Sequence, residues 1–138
     1  MFVDDLEVPV LAAGDHHHLA RVRRVRDGDP LILADGRGAW CTGWMAGEHP
    51  ERDDEVRNVG RPTPAIGVAF ALVKGTKPEL VVQKLTELGV DVIVPFVAER
   101  SVVVWDQGKA EAARVRFERV AREAAMQSRR AWLPTVEP

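Results

Sequence analysis

Between Lys74 and Ser101 the chain places Lys74, Gln83, Lys84, Glu87, Glu99 and Arg100 among apolar residues. Cationic and amide side chains near carboxylates can hold an anionic substrate and stabilise charge that develops on it. A purely structural crossover between two strands needs none of them. A second set is denser. Arg21, Arg23, Arg24 and Arg26 fall within six residues, just after His18. At helical spacing Arg21 and Arg24 share a face, and guanidinium groups suit bidentate contact with phosphate. A third set, Gln127, Ser128, Arg129 and Arg130, closes the last helical segment. Each set also has a bland reading. The arginine cluster reads as a solvated helix face, Lys84 with Glu87 as a helix-surface pair, and Arg100 as a loop salt bridge. The residues alone leave both readings open.

Other chemistry is excluded more firmly. The chain has no GxGxxG, no Walker A loop, no HExxH and no CxxC. His16, His17 and His18 are adjacent, so on a helix or strand they diverge and cannot share one ion; no metal site is expected. Cys41 lies mid-strand and reads as a core residue, and a single cysteine rules out an internal disulfide. Trp40 and Trp44 share a strand face, where core packing is the stronger reading and base stacking the weaker. No apolar run approaches the length of a membrane span, and the start MFVDDLEV lacks the pattern of a signal peptide. A cytoplasmic protein without membrane association is expected.

The 138 residues carry a net charge of −2, which by itself does not point to nucleic acid. Charge distribution says more. Arginine supplies 15 of the 19 basic residues, and a local basic patch binds phosphate despite acidic groups beyond the screening distance. A chain this long can bury roughly two thirds of its unfolded surface, enough for one domain or two small ones.

The elements that must position these groups fall into two parts. Residues 1–61 read as a small β-rich module. It has a short strand at Phe2-Val3, a short helix over His18–Val25 and a buried strand at Leu31–Leu33. A turn at Asp35–Gly38 leads into the partner strand Ala39–Met45, and a further strand is expected near Glu55–Val59. Arg61-Pro62-Thr63-Pro64 reads as a linker. Residues 65–138 then open with the apolar run Ile66–Val73, typical of a strand covered on both faces. Thr76 with Glu79 predicts a capping box and Pro78 fits the first helical turn. Val81, Val82, Leu85 and Leu88 form the apolar stripe of that helix, and Gly89 closes it. Val90–Val97 is the next strand, so the unit is βαβ with parallel strands. A last helix spans about Gln107–Gln127, with Ala110, Ala113, Phe117, Val120, Ala121 and Ala124 on one face. Met126 lies off that face, where a lone monomer gives it no partner.

These residues, taken in order, resemble the RsmE-type family of ribosomal RNA methyltransferases in the SPOUT superfamily. The likeness rests on His18–Arg24 with Gly28 and Asp35-Gly36. It continues through Lys74, Lys77, Glu79, Gln83-Lys84 and Glu87–Val90. Pro95, Glu99–Ser101, Glu123–Ala125, Gln127-Ser128, Arg130 and Pro134 complete it. Met126 departs from a position that is often glutamate in the family.

The resemblance implies an α/β protein: a PUA-like barrel module that binds RNA, then the first part of a SPOUT-type parallel domain. It implies methylation of N3 of a uridine in small-subunit ribosomal RNA, within the assembled subunit, by a homodimer using S-adenosylmethionine. Carried onto this sequence, it suggests Arg100, Glu87 and Lys84 as catalytic groups. His18, Arg21, Arg23, Arg24, Lys74, Gln127 and Arg130 are the suggested RNA contacts. The family's Gly-Pro-Glu-Gly-Gly motif and its C-terminal cofactor-binding knot are not found in these 138 residues. The expectation is therefore an N-terminal portion of a methyltransferase with no cofactor-binding residues of its own. The rival expectation is a non-enzymatic RNA-binding or ribosome-assembly module.

Overall fold

The computed structural model describes residues 1–11, 25–101 and 105–137, and of Gln107 the backbone only. The chain divides into two compact units, Met1–Arg61 and Pro62–Pro138.

In the first unit β1 (Pro30–Ala34), β2 (Ala39–Ala46) and β3 (His49–Arg52) form an antiparallel sheet, and β4 (Arg57–Asn58) also pairs with β2. The β1–β2 turn follows from Asp35-Gly36-Arg37-Gly38. Asp35 Oδ1 accepts from the backbone N–H of Arg37 at 2.7 Å and of Ala39 at 3.0 Å, while Gly36 and Gly38 take positive φ. The N-terminus joins β1: Ala34 N–H donates to Met1 O, and Val3 N–H donates to Ala34 O. Val3, Leu6, Leu11, Leu33, Cys41 and Met45 make the core of this unit. The described residues form an open four-stranded sheet, and no pairing among them closes a barrel. Two expectations change here. Leu31–Leu33 is not buried throughout, because Ile32 points outward and is 48% exposed. β3 was hidden in the sequence by its acidic, proline-containing composition, Pro50 being its one buried residue. The helix expected over His18–Val25 lies, but for Val25, outside the described residues.

The second unit is a parallel sheet in the order β5 (Gly67–Ala71), β6 (Val92–Phe96), β7 (Thr135–Val136). Helix α1 (Lys77–Leu88) links β5 to β6, and α2 (Gln107–Gln127) links β6 to β7. Both connections step the same way across the sheet, so right-handed crossovers put both helices on one face. The core bears this out: Val82 of α1 and Ala113, Phe117 and Ala121 of α2 pack with Leu72, Val90, Ile93 and Val136. β5 is not covered on both faces, however. Val68 and Phe70 turn toward the helices, whereas Gly67, Ala69 and Ala71 are exposed. The apolar run reads as doubly buried only because glycine and alanine count as apolar.

The capping box also fails. Thr76 has φ −92° and ψ 7° and makes no side-chain cap hydrogen bond. Glu79 turns away to Arg116 of α2, Nε to Oε1 2.6 Å. An ion pair between two helices outcompetes a weaker local cap.

α2 does have a side-chain cap. Asp106 sits in extended backbone, and its carboxylate accepts from Lys109 N–H at 2.8 Å. That hydrogen bond, chiefly, holds the Asp106 carboxyl below its ordinary value of 3.8. A lowered folded pKa means the cap stabilises fully above the unfolded value and is lost as pH falls through the folded one. Asp106→Ala is therefore expected to lower the melting temperature at pH 7. The difference from the unaltered chain should shrink below about pH 3.8. Circular dichroism melts across pH 2 to 7 measure both.

Candidate functional site

Parallel strands deliver their loops to one edge, where ligands of such sheets commonly bind. At the carboxyl edge of β5 and β6, Leu72 N–H donates to Phe96 O at 2.8 Å, and Ser101 Oγ donates to Leu72 O at 3.4 Å. These bonds tie the loop carrying Lys74 to the turn carrying Glu99 and Arg100. Lys74, Glu99 and Arg100 are exposed. Beside them Val73, Phe96 and Val97 are 45%, 44% and 49% exposed. This edge carries two cationic side chains and several partly exposed apolar ones, a combination that suits a base or ribose with its phosphate.

The other candidates gather at the opposite edge. Because α1 runs back along the sheet, its last turn lies about 18 Å from its first. There Glu87 is fixed between two partners. Gln83 Nε2 donates to Oε1 at 2.9 Å and Lys84 Nζ to Oε2 at 2.7 Å. The Lys84 hydrogen bond, then that of Gln83, pulls the Glu87 carboxyl below its ordinary range. A carboxylate held anionic in this way is a poor proton acceptor at neutral pH.

Next along the chain, Gly89 ends α1 in the left-handed conformation with φ 91° and donates its N–H to Leu85 O and Thr86 O. The end of α2 arrives at the same place. Ser128 Oγ donates to Ala124 O at 2.8 Å, and Arg130 N–H donates to Ala125 O at 3.0 Å. Arg129 between them has a φ of 54°.

The structure thus groups Lys74 with Arg100 at one edge. It groups Lys84 and Glu87 on α1, with Arg130 beside the end of that helix, at the other. Gln127 is exposed near Arg130. Arg100, Glu87 and Lys84 are not brought together within this unit. His18, Arg21, Arg23 and Arg24 lie outside the described residues.

In the first unit, Trp40 and Trp44 are half-buried on the face of β2 opposite Cys41, Gly43 and Met45, and among the described residues neither joins a core cluster. The Arg57 guanidinium covers the Trp40 ring, 5.1 Å from its centroid. Cys41 itself is fully buried, and burial pushes its thiol pKa up. Sequence reading missed the packing of Arg130 on Gly89. The glycine signalled a helix end, but nothing local signalled what would lie against it. Among the described residues no three ligating side chains cluster as a metal site would require, and no helix is long and apolar enough to cross a membrane.

Comparison with known proteins identifies the class. Residues 61–138 match the family described as an RNA methyltransferase domain, and residues 12–48 match an RNA methyltransferase PUA domain. The chain belongs to this RNA methyltransferase family. More particularly, it is 37% identical over 134 residues to ribosomal RNA small subunit methyltransferase E of Mycobacterium bovis, covering 94% of this chain and 51% of that protein. It is 38% identical over 127 residues to the protein of that name from Bacillus subtilis, covering 87% and 49%. The chain thus spans about half the length of these curated relatives. Among solved structures it resembles a putative methyltransferase of Legionella pneumophila in complex with S-adenosylmethionine. There the TM-score is 0.87 at 27% identity, over 99% of this chain and 60% of that one. It also resembles ribosomal RNA small subunit methyltransferase E of Neisseria gonorrhoeae bound to S-adenosylmethionine, with TM-score 0.78 and 26% identity over 100% and 60%.

Proposed function

We propose that this chain is the RNA-engaging part of an enzyme that methylates N3 of a uridine in small-subunit ribosomal RNA. The observation that carries the reading is the collinear match of nearly the whole chain, both matched regions included, to ribosomal RNA small subunit methyltransferase E. The edge bearing Lys74 and Arg100 is consistent with it. Uracil N3–H is a weak acid, and its loss leaves negative charge on the ring. Arg100 stabilises that charge, with Lys74 holding the adjoining backbone. His18, Arg21, Arg23, Arg24, Gln127 and Arg130 contact RNA. Lys84 and Glu87, suggested above as catalytic groups, act as a mutually fixed pair on α1 with Gln83 as third partner.

The methyl donor in this reading is S-adenosylmethionine, which the Legionella and Neisseria relatives hold. The described residues do not fit it by themselves. Val73, Phe96 and Val97 are each nearly half exposed and make one open wall, whereas a nucleoside site buries most of its ligand. The working enzyme is a cytoplasmic homodimer acting on the assembled small subunit, and residues 1–61 form its RNA-binding module.

The test is binding of the 138-residue chain to small-subunit ribosomal RNA across a salt series. Binding should weaken steeply with salt. Arg21→Ala with Arg24→Ala should flatten the log–log slope by roughly 1.5, at about 0.7 to 0.9 per lost phosphate contact. Salt-independent binding, or none, would refute the RNA-engaging role, and an unchanged slope in the variant would remove this cluster from it.

A further inference from the structure

We infer that Gly89 is a positioning residue whose missing side chain seats the Arg130 guanidinium as a receptor for an RNA backbone phosphate. This deepens the reading above and rests on it.

The space is specific. A Cβ on Gly89 would lie 2.2 Å from Arg130 Nη1, 2.8 Å from Cζ and 2.9 Å from Nη2. The guanidinium therefore rests directly on the backbone of the α1 terminus, closer than any other residue would permit. Neither α1 nor α2 carries a basic residue in its last turn. Arg130 supplies positive charge where helix carbonyls concentrate partial negative charge. That attraction holds the group in place but leaves its donors open. Among the described residues, no hydrogen bond or ion pair of the Arg130 side chain is present. The nearby Glu87 already has both oxygens bonded, to Gln83 and Lys84. Arg130 is also only half-buried. A half-buried guanidinium pinned on one side, with no carboxylate on it among the described residues, is prepared for a bidentate anion. On the RNA of the proposed substrate that anion is a phosphate.

The obstruction at Gly89 falls on the far end of a flexible side chain. Gly89→Ala therefore displaces the guanidinium by more than about 1 Å to reach ordinary contact without disrupting the core. It also strains a left-handed residue. A double-mutant cycle separates the two effects, because the strain is common to both backgrounds.

Gly89→Ala, Arg130→Ala, the double variant and Arg130→Lys are made in the full 138-residue chain. Each is measured for binding to a small-subunit ribosomal RNA transcript and for melting temperature. Gly89→Ala and Arg130→Ala should each weaken binding several-fold, and the double variant should bind no worse than Arg130→Ala alone. Arg130→Lys should recover part of the loss. The fall in melting temperature from Gly89→Ala should be similar with or without Arg130. Multiplying binding losses, or normal binding by Arg130→Ala, would overturn the inference while leaving the functional reading standing. Failure of the unaltered chain to bind the RNA would overturn both.

Discussion

Phe117→Ala is expected to cost the second unit about 3–5 kcal/mol, the usual range for truncating a buried phenylalanine. Phe117 is 1% exposed and is the largest side chain in its core cluster. It lies on the face of α2 turned to the sheet and shares its core cluster with Val82, Ile93 and Val136. Its ring also pairs with Trp105, centroids 6.3 Å apart and planes tilted by 33°. The neighbours belong to β5, β6, β7 and both helices, so no local shift can close the cavity. A typical domain is stable by only about 5–15 kcal/mol, and this unit is small. Urea melts followed at 222 nm, where α1 and α2 dominate, should show the midpoint collapse. An unchanged midpoint would mean that the helices are not held to the sheet by this core.

Gly43→Ala is the corresponding expectation for the first unit. Gly43 faces inward on the central strand β2, and an added Cβ would fall 2.2 Å from the carbonyl oxygen of Glu51 on β3 and 3.2 Å from Leu33 Cδ1. Unlike the obstruction at Gly89, this one is backbone and cannot swing aside. β3 must separate from β2 at the pair Gly43 and Arg52. Overpacking of this kind costs about 1–3 kcal/mol and occasionally more. The adjacent Cys41 gives a direct readout. Its thiol is fully buried, and burial raises its pKa, so a disulfide reagent should label it slowly in the native chain. Gly43→Ala should accelerate labelling many-fold, whereas an unchanged rate would show that β2 and β3 tolerate the added methyl group.

The contrast between these glycines marks what the sequence reveals. The βαβ frame is legible because Val82, Leu85 and Gly89 obey helical spacing and closure, and because β6 opens with the branched apolar residues Val92, Ile93 and Val94. α2 is legible from Ala113, Phe117 and Ala121. Less legible are features that depend on partners distant in the chain. Glu79 satisfies a local capping pattern yet pairs with Arg116. Trp40 and Trp44 share a strand face as their spacing says, but it is the face opposite the one that Cys41, Gly43 and Met45 turn to the core. β3 and β7 are short and polar at alternate positions, so neither stands out. The candidate site divides similarly. Its residue types are visible in sequence. Their separation onto two edges follows only once α1 is seen to run the length of the sheet.

The most direct measurement concerns the RNA product. In cells from which the gene encoding this sequence is deleted, small-subunit ribosomal RNA would be digested to nucleosides and analysed by mass spectrometry. The proposed function predicts that 3-methyluridine disappears from that RNA and returns when the gene is restored. Undiminished 3-methyluridine in the deletion strain would contradict it.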